Sequence, residues 1–386
     1  MDIHTNKDNQ LNMNGVWKRI TVLTVCFFLV MAALVLYVSK TRVITIEQIS
    51  QDEVQSKKHA DEAPIHGDGN EKGESFASEM TNVNEHSETG IDLTKEKQEL
   101  LFMKGVHTDY LCIPLPIECK AEHISIENHY MDRELCVKIQ TSKPYFYVDN
   151  AISGNYSAIR AGEFVMNEDS VELFFSLDGV YEYHSVLENG ALYISFQNPR
   201  EIYSRIVVID PARGGADLGL AANELQEKDI VLEVAECLKK KMDQTDVKVY
   251  YTRMDDVNPD NMERIALAND IKADMYIRIE TDVLEDTGIY GVTAVYNNEY
   301  FIPGFGSVEL ADLLIKEVVT AVNGKALGLR VYEEKDITVQ EATVPASIIR
   351  VGCLSNKQEA ILLSKEEYIE KIAEGIFQAI MKAYEE

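Results

Sequence analysis

The chain has 386 residues, 46% of them apolar, and a formal charge of −28 at neutral pH. That length accommodates two domains with appendages and a sizeable core. The acidic balance excludes a nucleic-acid-binding role, because nothing in the sequence could neutralise a run of phosphates. The six cysteines form no framework. Cys26 lies in an apolar N-terminal run, and no CxxC pair among Cys112, Cys119, Cys136, Cys237 and Cys353 suggests a zinc or redox site. They read as unreactive buried thiols, with a local bridge between Cys112 and Cys119 as the alternative.

In chain order, residues 1–19 are a short tail carrying Lys7, Lys18 and Arg19. Ile20 to Val38 is a run of 19 residues without a charge, flanked by Lys18–Arg19 and by Lys40 and Arg42, with Trp17 and Tyr37 at interface depth. At ~1.5 Å rise per residue it spans roughly 28 Å, enough for the hydrocarbon slab. A cleaved signal peptide would have a shorter apolar region followed by a small-x-small site, and none follows here. The sequence thus predicts a single transmembrane helix in the cell membrane, N-terminus cytoplasmic, with the long acidic remainder outside. Residues 39–97 lack periodic apolar positions and are rich in Glu, Asp, Ser, Gly and Asn, so they read as a disordered tether.

Residues 98–200 read as short alternating strands, with Asp178-Gly179 and Asn189-Gly190 as hairpin signals. They predict a small antiparallel β-sandwich. Its aromatics, Tyr145, Phe146, Tyr147, Phe174, Phe175, Tyr181, Tyr183, Tyr193 and Phe196, serve as core and cross-strand pairs or, alternatively, as a sugar-stacking face. His123, His129 and His184 lack ligand spacing.

From 201 to 386 strands alternate with helices. RIVVID, VKVYYT, DMYIRI, GVTAVYN and PASIIRVG read as strands, and 227–242, MERIALANDI and SVELADLLIKEVVTAVN as helices. Ser364 with Glu367 suggests a capping box opening a final helix. This alternation predicts an α/β layer with a largely parallel sheet. The site then lies beyond the strands' carboxyl ends, at 210–215, 252–253, 280–282 and 351–356.

These blocks resemble a known family. IVVIDPARGG is similar to the first-strand motif of zinc-dependent N-acetylmuramoyl-L-alanine amidases, where DPGHGG is usual. LQEKD, TRMDD, ERIALANDIKADMYIRIE and PASIIRVGCLSN follow in the family's order, so the resemblance covers about residues 205–385. Family membership implies cleavage of the amide between muramic acid and the first alanine of the peptidoglycan stem. It also implies a zinc ion on two His and one Glu that polarises the carbonyl and acidifies a water, with a further Glu moving the proton.

Position by position, the first His is replaced by Arg213, with Ala212 before it, and the Glu ligand is retained as Glu227. Glu280 in RIETD stands where the second His of SIHAN is usual, and Arg350 stands at the catalytic Glu. All eight histidines lie at or before His184, so this domain has no imidazole to substitute. A guanidinium stays protonated and has no lone pair to ligate zinc or act as a base. Arg213 and Arg350 are therefore expected to take the metal's electrostatic place, paired bidentately to Glu227 and Glu280. Solvent-facing side chains under relaxed selection are the alternative. Asp210 and Arg253 read as strand-end scaffold, Asp282 as cleft lining where the family has Asn, Cys353 as packed, and Glu263, Arg264 and Asn269 as buttresses of their helix.

The resemblance and its departures imply a membrane-anchored, catalytically inactive homologue, without zinc, that binds peptidoglycan or another wall-active protein. An active amidase with a divergent metal site and a purely structural ectodomain are the alternatives.

Overall fold

The computed structural model of the chain describes residues 97–104, 109–298 and 304–385. The expected tail, membrane-spanning segment and all but the last residue of the tether lie outside the described residues. Among the described residues no helix is long and apolar enough to cross a membrane.

Two five-stranded sheets come first in the chain. One runs, in spatial order, β1 (Gln98–Glu99), β7 (Ile159–Met166), β8 (Ser170–Leu177), β5 (Glu134–Gln140) and β4 (Ile124–His129), all antiparallel. The other runs β2 (Phe102–Lys104), β6 (Ile152–Gly154), β3 (Leu111–Pro114), β10 (Ala191–Gln197) and β9 (Glu182–Glu188). Its β2–β6 pair is parallel, so this sheet is mixed where an antiparallel one is expected. Alternation on β8 sends Val171, Leu173, Phe175 and Leu177 inward to meet Leu111, Ile113 and Ile194 of the opposite sheet.

Asn189 and Gly190, both at positive φ, close the β9–β10 hairpin in the manner of a type I′ turn. Asp178–Gly179 makes no hairpin; it carries the chain from one sheet to the other. Tyr147, in a single helical turn, α1 (Phe146–Asp149), is fully buried, and its hydroxyl donates to the Pro114 carbonyl at 2.8 Å. Cys112, Cys119, Cys136, Cys237 and Cys353 are all free thiols.

After a second short turn, α2 (Pro199–Ile202), the α/β domain forms a six-stranded sheet. Its order is β14 (Lys248–Tyr251), β11 (Ile206–Pro211), β15 (Met275–Asp282), β18 (Ala346–Cys353), β16 (Val292–Tyr296) and β17 (Ala326–Val331). The first four are mutually parallel, whereas β16 runs antiparallel to β18 and β17 parallel to β16. The sheet is thus mixed. The stretch 283–291 between β15 and β16 contains no helix, and a short connection cannot return the chain to the starting edge of the sheet. A small hairpin, β12 (Ala221–Ala222) with β13 (Leu225–Gln226), precedes α3 (Glu227–Met242).

One face of the sheet is covered by α3, α5 (Ser307–Val322) and α8 (Glu366–Ala383), whose apolar stripes join Val207, Ile209, Ile277, Ile279, Ile349 and Val351. On the other face, α4 (Asn261–Asp270) buries Ile265, Leu267 and Ala268 against Ile206, Val208 and Tyr276. Val180 joins that second core, and the Tyr130 hydroxyl donates to the Tyr251 carbonyl at 2.8 Å. The remaining helices are the single turn α6 (Ile337–Gln340) and α7 (Lys357–Leu363), the latter capped by Asn356. Ser364 does not open α8. It is the C-cap of α7 and donates to the Ile361 carbonyl, and α8 starts without a side-chain cap because a separate helix uses the preceding turn.

Candidate functional site

Strand alternation decides which side chains build the site. On β11, Val207 and Ile209 face the three-helix layer and Ile206 and Val208 face α4, so Asp210 falls on the α4 side. The same parity sends Arg278 and Glu280 of β15 and Arg350 of β18 to that side. The ladder registers place Asp210 beside Arg278 and Glu280 beside Arg350. Four charged residues therefore lie side by side where the hydrophobic face of the sheet ends.

They join into one line of alternating sign. Arg264, fully buried on α4, donates to Asp210 Oδ1 at 2.6 Å. Arg278 spans Asp210 Oδ2, at 2.6 Å from Nη1, and Glu280 Oε1, at 2.9 Å from Nε. Arg350 continues the line from Nε to Glu280 Oε2 at 3.3 Å and from Nη2 to Asp336 Oδ1 at 2.9 Å. Three guanidinium and three carboxylate groups result, with Thr252 and Tyr276 also donating to Asp210.

Arg213 also lines the cleft, with Glu227 buried behind it. Glu227 opens α3, is fully buried, and accepts from Leu220 N at 2.9 Å, Thr281 N at 2.9 Å and Arg213 Nε at 3.1 Å. Arg213 holds a left-handed backbone at φ 64°, a conformation costing of order 1–3 kcal/mol outside glycine. Its carbonyl is pinned by Arg264 Nη2 at 2.8 Å. Gly219, at φ 67°, passes over this pair so closely that a Cβ would lie 2.3 Å from Glu227 Oε2.

The cleft, about 240 Å³, is lined by Arg213, Arg278, Glu280 and Arg350 together with Asp282, Lys335 and Asp336. Burial pushes the carboxyls of Asp210 and Glu280 up, but their arginines override it and hold both below the usual range. Glu227 goes the other way: burial and the nearby Glu280 carboxylate outweigh Leu220, Thr281 and Arg213, and its pKa rises. Arg350 is disfavoured by burial yet raised overall by Glu280 and Asp336.

The structure brings Asp210, Arg213, Glu227, Glu280, Asp282 and Arg350 together in or directly behind one cleft. The contacts differ from the expected forks. Each of the Arg213–Glu227 and Arg350–Glu280 pairs uses a single Nε–H, because Glu280 is shared with Arg278 and Glu227 with two backbone amides. Arg278 and Asp336 were absent from the predicted site. Arg278 could have been found from its spacing of two from Glu280 on a strand, whereas Asp336 comes from a loop whose path the sequence does not reveal. Arg253 is scaffold: it donates to the carbonyls of Pro211, Ala212, Asp255 and Lys228. Asn269 ties α4 to Glu341 and Thr343, Glu263 completes that helix's N-terminal capping box, and Cys353 is buried.

This donor set does not fit zinc. A tetrahedral site needs lone pairs from His, Cys, Asp or Glu. Here Arg213 and Arg350 offer none, and both oxygens of Glu227 and of Glu280 are engaged by N–H donors. Among the described residues no three such ligands cluster.

An open α/β sheet with a charged cleft at its strand ends defines the class of the domain. Residues 207–382 match the family model for N-acetylmuramoyl-L-alanine amidase, and this segment belongs to that family. The germination-specific N-acetylmuramoyl-L-alanine amidase of Bacillus subtilis strain 168 is 27% identical over 196 residues, 47% of this chain and 81% of that relative. The endolysin of Bacillus phage SPP1 is 30% identical over 182 residues, 46% of this chain and 65% of its own length. Among solved structures, an N-acetylmuramoyl-L-alanine amidase from Clostridium difficile 630 is 29% identical and covers 47% of this chain and 97% of its own, with a TM-score of 0.44.

Proposed function

We propose that this protein is anchored in the cell membrane by residues 20–38 and that its amidase-family domain binds peptidoglycan without hydrolysing it. The observation that supports this most is the pairing of Arg213 with Glu227 at 3.1 Å and Arg350 with Glu280 at 3.3 Å. These contacts fill with permanent cations the positions at which the family's resemblance implies lone-pair ligands and a base. A cleft that is internally neutral and hydrogen-bonded is suited to hold a ligand, and its guanidinium groups can neither ligate a metal nor take a proton from water.

The test is co-sedimentation of the full chain with purified sacculi, with soluble products followed by chromatography. Retention on the sacculi without release of stem peptides is the expected result. Release of stem peptides at a rate above the no-protein control overturns the proposal. Complete failure to sediment with intact sacculi overturns its binding half and favours a wall-active protein as the partner.

A further inference from the structure

Contacts between the sandwich and the α/β domain fix which end of the sandwich is free. Glu182, at the start of β9, accepts from Tyr250 and pairs with Lys248, Tyr130 reaches Tyr251, and Arg133 pairs with Asp270. The α/β domain is thus seated on the end that carries residues 130–133 and 178–182. Strand direction puts residues 114–120, 141–149, 167–169 and 189–190 at the opposite end. These segments hold one another. Glu118 accepts from Thr141 Oγ1 at 3.2 Å and lies 3.4 Å from Lys143 Nζ. Thr141 N donates to the Asp169 carbonyl and Leu115 N to the Gly190 carbonyl, both at 2.9 Å. The chain enters the sandwich at this end too, because β1 runs antiparallel to β7 and so away from the 167–169 turn.

This free end is apolar at its tip. Ile117 is 98% exposed, on a turn closed by Cys119 N donating to the Pro116 carbonyl at 2.8 Å. Turn tips favour Gly, Pro, Asn, Asp and Ser, so an isoleucine there serves no folding purpose. α1 turns Tyr147 inward and leaves Tyr145 and Val148, three residues apart, each 44% exposed. Single exposed apolar side chains are ordinary, but a group of them on one domain end marks a docking surface.

The surroundings select the occupant. Glu118 is engaged with Lys143, and Lys120 lies 3.7 Å from Glu122, so the charges beside Ile117 balance. Glu168 and Asp169, exposed on the adjoining turn, keep this end from attracting polyanions. Protruding aliphatic side chains beside a phenol and two lysines match the layered chemistry of a bilayer surface.

We propose that this end of the sandwich docks onto the surface of the lipid bilayer. Ile117 and Val148 enter the boundary of the acyl chains, Tyr145 lies among the headgroups, and Lys120 and Lys143 reach the phosphates. The proposal goes beyond the binding reading of the cleft and rests on the reading of residues 20–38 as an anchor. A coil as long as residues 39–97 averages roughly 40 Å end to end, so the anchor makes the contact intramolecular and a weak affinity suffices. Docking in this way holds the α/β domain, on the opposite end, off the bilayer.

The experiment reconstitutes the full chain into phosphatidylcholine vesicles doped with a diazirine-bearing phosphatidylcholine, and maps lipid adducts by peptide mass spectrometry after irradiation. Adducts are expected on residues 20–38, 114–120 and 143–149. The double variant Ile117→Asp, Val148→Asp should lose about tenfold or more of those on the two sandwich segments, the factor that burying one such side chain supplies. Both side chains are exposed, so the core is untouched, and thermal unfolding checks that the variant is folded. Adducts on 20–38 with none above background on the sandwich segments overturn the docking, leave the anchor standing and give the patch to a protein partner. A sandwich yield that the double variant leaves unchanged overturns the docking as well. Adducts on the sandwich segments that the variant abolishes, with none on 20–38, support the docking and sink only the anchor. Absence of adducts from all three segments sinks both.

Discussion

Replacing Asp210 with asparagine is expected to lower the stability of the α/β domain by about 3–5 kcal/mol, the usual cost of breaking a buried ion pair from one side. Asp210 is fully buried and accepts from Arg264, Arg278, Thr252 and Tyr276. The amide keeps the size but leaves the buried Arg264 without its counter-charge and Arg278 with Glu280 alone. Its Nδ2 would also face a donor where the carboxylate accepts one. The effect has a pH signature. Burial raises the carboxyl's pKa, and Arg278 and Arg264 overcome that and hold it well below the ordinary Asp value of about 3.9. For a carboxylate with a depressed native pKa, the stabilisation is fully present above the unfolded-state value and drains away as pH falls towards the folded one. Urea unfolding should therefore show a stability deficit for the variant at pH 7 that narrows below about pH 4. A deficit under about 1 kcal/mol at pH 7 would mean that the ion-pair line contributes no more than an ordinary surface network.

Restoring the donors is expected to restore the metal. The triple variant Arg213→His, Glu280→His, Arg350→Glu supplies two imidazoles, keeps Glu227, and removes two of the cations aimed at the cleft. Zinc affinity should rise by on the order of 10³-fold or more over the parent, since ligand identity and count dominate such sites. Arg278 sets a limit on that gain. With Glu280 gone it keeps only Asp210 as a counter-charge and presents an unpaired nitrogen beside the new histidine. Adding Arg278→Ser should tighten zinc further. Competition against a chromophoric chelator measures both steps, and equal zinc affinities for parent and triple variant would show that the arginines are not what excludes the ion.

Much of the site was legible because strand periodicity is legible. RIVVID, DMYIRIE and PASIIR are largely apolar runs whose last residues on one parity are Asp210, Arg278, Glu280 and Arg350. RIETD set against SIHAN pairs Arg278 with a serine that is no metal ligand, so the resemblance does not mark Arg278 as part of the site. Asp336 was beyond reach, because its approach to Arg350 depends on the path of the 332–336 loop after an unpredicted edge strand, β17. That strand, ALGLRV, is exposed on most positions and so lacks the apolar run that marks its neighbours. The direction of β16 was equally hidden. A strand's composition does not encode its polarity, which followed here from a helix-free connection. The Ser364 capping signal failed because the preceding helix α7 ends on that residue.

Zinc stoichiometry of the full chain, purified without chelators and measured by elemental analysis after equilibration with micromolar zinc, tests the arginine-filled site most directly. Arginines paired to Glu227 and Glu280 predict well under about 0.1 zinc per chain, because among the described residues no set of free lone pairs exists to hold the ion. One zinc per chain, lost on Glu227→Gln substitution, would contradict it.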